Sequence, residues 1–279
     1  MTVDEIVKYV SNELEHVPGV VGIVLGGSRA RGNHKPASDI DIGIYYDEQA
    51  GFDIEEMNRV AEKLDDEQRG KLVTPLGGWG PWVNAGGWLA VQGYHVDLIL
   101  RDIHRVSGVI DECLSGVVST HYHAGHPHAF LNVMYMGEIS ICRVLVDPIG
   151  KIRNLKAKTT PYPKALQDAL IGYFRFEASF SLMHADSNVN KDDISYVAGC
   201  CFRTISCLNQ VLFAKNKEYC INEKKAVALV DSFQMKPKDY KLRVDKIMTL
   251  LSSEQDCTRE GVDMLGQLVQ ETEMLIDRH

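Results

Sequence analysis

Apolar positions at Ile6, Val7, Val10 and Leu14 have the spacing of one helical face and predict a first helix over residues 4–15, closed by Pro18-Gly19. The unbroken apolar run Val20 to Leu25 then reads as a buried strand. From Asp39 to Tyr46 the pattern alternates, with Ile40, Ile42 and Ile44 on one face, and predicts a second strand. Helical spacing returns over Ile54 to Leu64. Residues 70–87 are rich in Gly, Pro and Trp and read as a loop with short extended pieces. Trp88–Val91 and Tyr94–Leu100 predict a hairpin around Gln92-Gly93, followed by a helix over 104–118. Phe130 to Val146 is ambiguous between extended chain and a short helix, because Gly137-Glu138 interrupts it. Pro148 and the stretch Lys156 to Pro163 read as a linker. Every later segment has the helical period: 164–185, 192–214, 222–233, 237–252 and 255–276.

Between the first two strands lies Gly26-Gly27-Ser28-Arg29-Ala30-Arg31-Gly32, then Ser38-Asp39-Ile40-Asp41. Residues i and i+2 of a strand share a face, so Asp39 and Asp41 set two carboxylates side by side, opposite the isoleucines. Two adjacent carboxylates repel, and a divalent cation with oxygen ligands, Mg²⁺ foremost, is the simplest compensation. The preceding turn offers backbone N–H groups, the Ser28 hydroxyl and the charges of Arg29 and Arg31, which together suit phosphate. A phosphate cradle beside a metal-binding carboxylate pair is equipment for phosphoryl or nucleotidyl transfer.

This pair of motifs resembles the signature of the polymerase-beta-like nucleotidyltransferase superfamily. Its layout is most similar to bacterial enzymes that adenylylate aminoglycoside-type antibiotics and to their uncharacterised relatives. The resemblance is specific over residues 20–46, weaker to about 155 and only architectural beyond. It implies an α+β chain: a nucleotidyltransferase domain with a short mixed sheet flanked by helices over 1–155, and an all-α substrate-binding helical bundle over 156–279. It implies Gly27 and Ser28 at the triphosphate, with Arg31 reaching phosphate or a carboxylate, and three metal-binding carboxylates. For the third, Asp97 is the best candidate, the one acid within the apolar strand Tyr94–Leu100. Its rival Asp102 is expected to cap the next helix. The antibiotic-modifying relatives often use a carboxylate from the helical half as general base. Glu177, amid Tyr173, Phe174, Phe176 and Phe180, is the candidate here, in surroundings that would raise its pKa toward neutrality; the plainer reading is an ion pair with a nearby Arg or Lys.

Charge and the remaining clusters refine the partners. Residues 1–150 carry 11 Lys+Arg against 21 Asp+Glu, and residues 151–279 carry 19 against 17. An acidic catalytic half argues against nucleic acid and fits a cationic small molecule better, while the plainer reading is that the charge only aids solubility. All three tryptophans, Trp79, Trp82 and Trp88, fall in one Gly-rich segment, which suits either stacking on a base or sugar or a packing cluster. His121, His123, His126 and His128 crowd one segment that reads first as a surface loop, with substrate contact or acid–base work as the functional alternative. Seven cysteines without a Cys-x-x-Cys pair read as free thiols in a reducing compartment, and no zinc site is expected. The polar start Met1-Thr-Val-Asp-Glu and the lack of an apolar run of membrane-spanning length give the expectation of a cytoplasmic protein.

The sequence thus points to transfer of a nucleoside monophosphate, AMP from ATP foremost, to a hydroxyl of a small, aminoglycoside-like molecule. Its alternative is a nucleotide-binding regulatory or antitoxin-like partner protein without chemistry, disfavoured by the intact set Asp39, Asp41 and Asp97 and by the extra helical half.

Overall fold

The computed structural model describes residues 1–277. In chain order the elements are α1 (Val3–Leu14), β1 (Val20–Leu25), α2 (Gly27–Arg31), β2 (Ile40–Tyr46), α3 (Ile54–Leu64), α4 (Gly80–Val83), β3 (Ala85–Val91), β4 (Tyr94–Asp102), α5 (Ile103–Leu114), β5 (Thr120–His123), β6 (His126–Leu131), α6 (Val133–Ile141), β7 (Arg143–Val146), α7 (Lys151–Lys158), α8 (Lys164–Asn188), α9 (Ile194–Lys215), α10 (Ala226–Asp231), α11 (Tyr240–Leu250) and α12 (Gln255–Asp277). They form two compact units, Met1–Glu112 with Tyr135–Pro161, and Cys113–Met134 with Tyr162–His279.

The first unit is built on a five-stranded mixed sheet in the order β3-β4-β2-β1-β7. β2 and β4 run parallel, and the other pairs are antiparallel. The alternation in the sequence places Ile40, Ile42 and Ile44 of β2 and Val96, Leu98 and Leu100 of β4 on one face, all fully buried. There they meet Ile6, Val7, Val10 and Leu14 of α1 and Met57, Val60, Ala61 and Leu64 of α3. Both helices start on side-chain caps. Thr2 and Glu5 form a reciprocal capping box, and Asp53 accepts from the amides of Glu55 and Glu56 at 2.9 and 3.2 Å.

The loop after α3 hangs on one carboxylate. Asp65 is buried and accepts from Arg69 Nε and Nη2 (2.9 and 2.6 Å), from the Arg69 amide (3.2 Å) and from the Ala90 amide of β3 (2.9 Å). The Arg69 hydrogen bond, against the opposing effect of burial, holds its pKa far below the usual carboxylate range. The folded-state pKa lies below the unfolded one, so this contribution is present above about pH 4 and is lost as pH falls further. Urea unfolding of the wild type is therefore expected to weaken from pH 5 to pH 3. In Asp65→Asn the same interval should be flatter, from a start at pH 7 lowered by about 1–3 kcal/mol. Equal pH slopes in the two proteins would assign the acid sensitivity elsewhere.

The second unit consists of long helices. Leu166, Leu170, Phe174, Ala178 and Ala185 make the buried stripe of α8, and every residue from Thr204 to Ala214 of α9 is buried. α9 is long and apolar enough, by length and composition, to cross a membrane, although the sequence pattern suggests no such run; 72% of the relevant window is buried inside the protein, as in a core helix. α12 presents Val262, Leu265, Leu268 and Val269 to the interior.

The structure departs from the sequence reading in two places. Residues 156–158, expected to open a linker, belong instead to the helix α7, which buries only Ile152 and Leu155. The histidine segment is not a surface loop but the hairpin β5–β6, which lies in the second unit.

Candidate active site

The turn after β1 is shaped around one aspartate. The Gly26 amide donates to the Asp41 carbonyl at 2.8 Å, tying the end of β1 to the start of β2. Gly27 has φ +58°, and a Cβ built there would lie 1.8 Å from Asp41 Oδ2. The Asp41 carboxylate therefore rests on the bare face of Gly27, and both the backbone conformation and the close approach require glycine. The next five residues form the single short helix α2, which ends at Gly32 with φ +79°. Its leading amides, from Gly27 and Ser28, have no intrahelical acceptor, as at any helix start.

Arg29 has a structural task. Its Nε donates to the carbonyls of Ser38 (3.2 Å) and Asp39 (3.0 Å), and its Nη2 reaches the carbonyl of Pro36 at 3.4 Å. It thus pins the loop that delivers Asp39, rather than standing open to phosphate. Arg31 is half-buried at the end of α2.

Pairing in the sheet brings Asp41 and Asp97 together. In the parallel ladder Asp41 is the direct partner of Asp97, and in the next ladder Asp97 is the direct partner of Trp88. Directly paired residues share a face, at strand spacings of about 4.8 Å. Trp88, Asp97 and Asp41 therefore form a row on the face opposite the isoleucine core. Trp88 is 63% exposed. Asp39 precedes the row by two residues, is exposed, and lies just outside β2. Asp102 accepts from the His104 and Arg105 amides at 2.8 and 3.3 Å and caps α5 as expected, which leaves Asp97 as the acid on the sheet face.

The other two tryptophans are packing residues. Trp79 covers Gly86, where a Cβ would meet its ring at 2.2 Å, and it lies 4.9 Å from Trp88. Trp82 is buried against Tyr135, with the Arg105 guanidinium 4.5 Å above its ring.

Glu177 belongs to the second unit. Burial raises its pKa, but hydrogen bonds from His128 and Arg203 outweigh that and hold it below the ordinary value. Of the two readings of Glu177 the structure shows the plainer one, an ion pair: the aromatic neighbours Phe176 and Phe180 point outward, 69% and 47% exposed, while the carboxylate pairs with Arg203 and faces His128. His128 is among the buried side chains, 6% exposed, and its partners Glu177 and Cys207 lie 49 and 79 residues away in sequence, so no local spacing could have announced the group.

Residues 3–75 match a family model described as a nucleotidyltransferase domain. The match includes Asp39 and Asp41 and ends before β4. Across 99% of its length the chain is similar to 78% of a nucleotidyltransferase-like protein from Exiguobacterium sibiricum 255-15, at 10% sequence identity and a TM-score of 0.45. A likeness of that size supports no further statement. No curated protein matches the chain.

Proposed function

We propose that the chain, whose residues 3–75 match a nucleotidyltransferase-domain model, transfers a nucleoside monophosphate, AMP from ATP foremost, to a hydroxyl of a small molecule. The observation that carries this reading is the Asp41–Asp97 pair seated beside the Gly27 turn.

A divalent cation fits these residues. Two carboxylates in direct register gather negative charge, and the missing side chain at Gly27 makes the room in which one of them sits. Asp39, Asp41 and Asp97 would hold Mg²⁺, which when bound would neutralise triphosphate charge and acidify the acceptor hydroxyl. Gly27 and Ser28 present the first amides of α2 to the β- and γ-phosphates. Arg29 fixes the backbone that carries Asp39. Trp88 offers an exposed ring beside Asp97, on which the flat face of a base or sugar can stack. The acidic first half of the chain favours a cationic acceptor, and an aminoglycoside-like polyol amine is the class to test first. The second unit would select that acceptor.

The direct test is pyrophosphate release from each NTP with Mg²⁺ against a panel of hydroxylated acceptors. The reading predicts release that needs both metal and acceptor. Nucleotide binding with no release across the panel would favour the non-catalytic alternative. A sharper test is Gly27→Ala. The added methyl must displace the Asp41 carboxylate, and a displacement of about 1 Å costs about 10²-fold in rate. The variant is expected to keep its fold and lose at least that much turnover. Undiminished turnover would show that Asp41 does not work from its place over Gly27.

A further inference from the structure

Among the described residues, one group of three His, Cys, Asp or Glu side chains brings its ligand atoms together outside the row at Asp41: His128 of β6, Glu177 of α8 and Cys207 of α9. All three belong to the second unit. Their ligand atoms lie within 4.8 Å of one another. His128 Nε2 stands 3.4 Å from Glu177 Oε1 and 4.0 Å from Cys207 Sγ. Cys207 is fully buried, and the His128 and Glu177 side chains are 6% and 13% exposed.

The arrangement is convergent rather than a relay. A catalytic chain of Cys, His and Glu would use both ring nitrogens, one for each partner. Here both partners address the same atom, Nε2. If Nε2 carries the proton, it donates to the carboxylate, and the thiol also turns to Glu177, so that one carboxylate serves both. If it is bare, it accepts from the thiol and turns a lone pair toward the carboxylate. A cation satisfies all three donors at once.

We propose that His128, Glu177 and Cys207 form a site for a zinc-class ion that ties the β5–β6 hairpin to α8 and α9. Imidazole, carboxylate and thiolate are the donor set of zinc, and a thiolate disfavours Mg²⁺. Tetrahedral zinc would separate N from O by about 3.4 Å and N from S by about 3.6 Å. The first separation is already present, and the second needs a shift of only about 0.4 Å.

The surroundings hold the donors in place. Glu223 accepts from the His128 amide (3.1 and 3.0 Å) and the Ala129 amide (2.8 Å), which anchors the backbone under the imidazole. Arg203 pairs with Glu177 and fixes the carboxylate's orientation. A cleft of about 120 Å³, lined by Thr120, Tyr122, His128 and Glu177 among others, opens beside the group and has room for a water as fourth ligand. The ion would join three segments distant in sequence through largely buried side chains.

The test uses cobalt as the probe. The full chain, stripped with chelator, is titrated with Co²⁺. One equivalent is expected to give the visible absorption of tetrahedral cobalt and a near-ultraviolet thiolate charge-transfer band. Cys207→Ser, with an unchanged circular dichroism spectrum, is expected to lose the charge-transfer band, and His128→Gln to weaken cobalt binding by more than the about 10–100-fold that outer partners cost. Cobalt at Asp41 and Asp97 has no thiolate and cannot imitate this band. Absence of the band in the wild type, or its persistence in Cys207→Ser, would overturn the site.

Discussion

Replacing Asp41 by asparagine is expected to remove nucleotidyl transfer while leaving the fold intact, and Asp97→Asn to do the same. Charge stabilisation by a bound metal is worth several kcal/mol, and a loss of about 4 kcal/mol is about 10³-fold in rate. Each single variant should therefore lose at least that factor in acceptor-dependent pyrophosphate release. The double variant should be little worse than either single one, because the two carboxylates act as a unit. Stability should hold or rise slightly in each, since like charges directly opposite in a sheet are destabilising. Asp102→Asn is the internal control. It sits five residues beyond Asp97 but caps α5 through the His104 and Arg105 amides, a task that the asparagine oxygen can take over, so the variant should cost little stability and leave the rate alone. Metal-dependent transfer in Asp41→Asn or Asp97→Asn within tenfold of wild type would sink the proposed site.

That control works because the two acids differ in a way the sequence already shows. Asp97 interrupts the apolar frame of β4, and Asp102 follows a charged residue at its end. What could be read in this chain was whatever repeats with a period. The alternation in β2, the helical faces of α1 and α3, and the hairpin at Gln92-Gly93 appear with bounds close to those read from the pattern. Elements without a period were hidden. α2 has only five residues and begins at glycine, too short to show a face. α7 buries only Ile152 and Leu155 among lysines and arginines, so its composition resembles a linker. The hairpin β5–β6 is built from histidines and the 97% exposed Tyr122, and its alternation is not one of apolar against polar. Contacts across distant segments leave no local trace at all. The pairing of Glu177 with Arg203 and His128, which decides between the two readings of its pKa, joins residues far apart in sequence, and so does the approach of Cys207 to His128.

The same limit concealed the arginine one residue before Asp102. Arg101→Ala is expected to be the most destabilising single substitution in the first unit. Arg101 follows Asp97 by four residues on β4 and faces the same side of the sheet, but it is 4% exposed. There its guanidinium makes a bidentate pair with Glu138 of α6, Nε to Oε2 at 3.0 Å and Nη2 to Oε1 at 2.8 Å. Nη1 donates to the Val83 carbonyl at 2.6 Å, and the Tyr135 ring lies 5.1 Å from the charge. These partners hold α4 and α6 to the sheet through one side chain. Burial lowers the arginine's pKa, but the charge of Glu138 and its hydrogen bonds outweigh that and hold it above the ordinary value. Removing it strands Glu138 and the Val83 carbonyl without their donor; breaking a fully buried pair costs about 3–5 kcal/mol, and with the Glu138 side chain 30% exposed the lower end of that range is expected. A protein of ordinary stability has only about 5–15 kcal/mol in total, so the midpoint of urea unfolding should fall steeply. Arg101→Met combined with Glu138→Gln keeps volume and removes the stranded charge, and it should recover a large part of that loss. If Arg101→Ala costs less than about 1 kcal/mol, an amount typical of an exposed pair, α6 is held by its apolar contacts alone. If the double variant is no better than Arg101→Ala, the cost lies in the lost Val83 hydrogen bond and the ring contact with Tyr135, not in the charge left on Glu138.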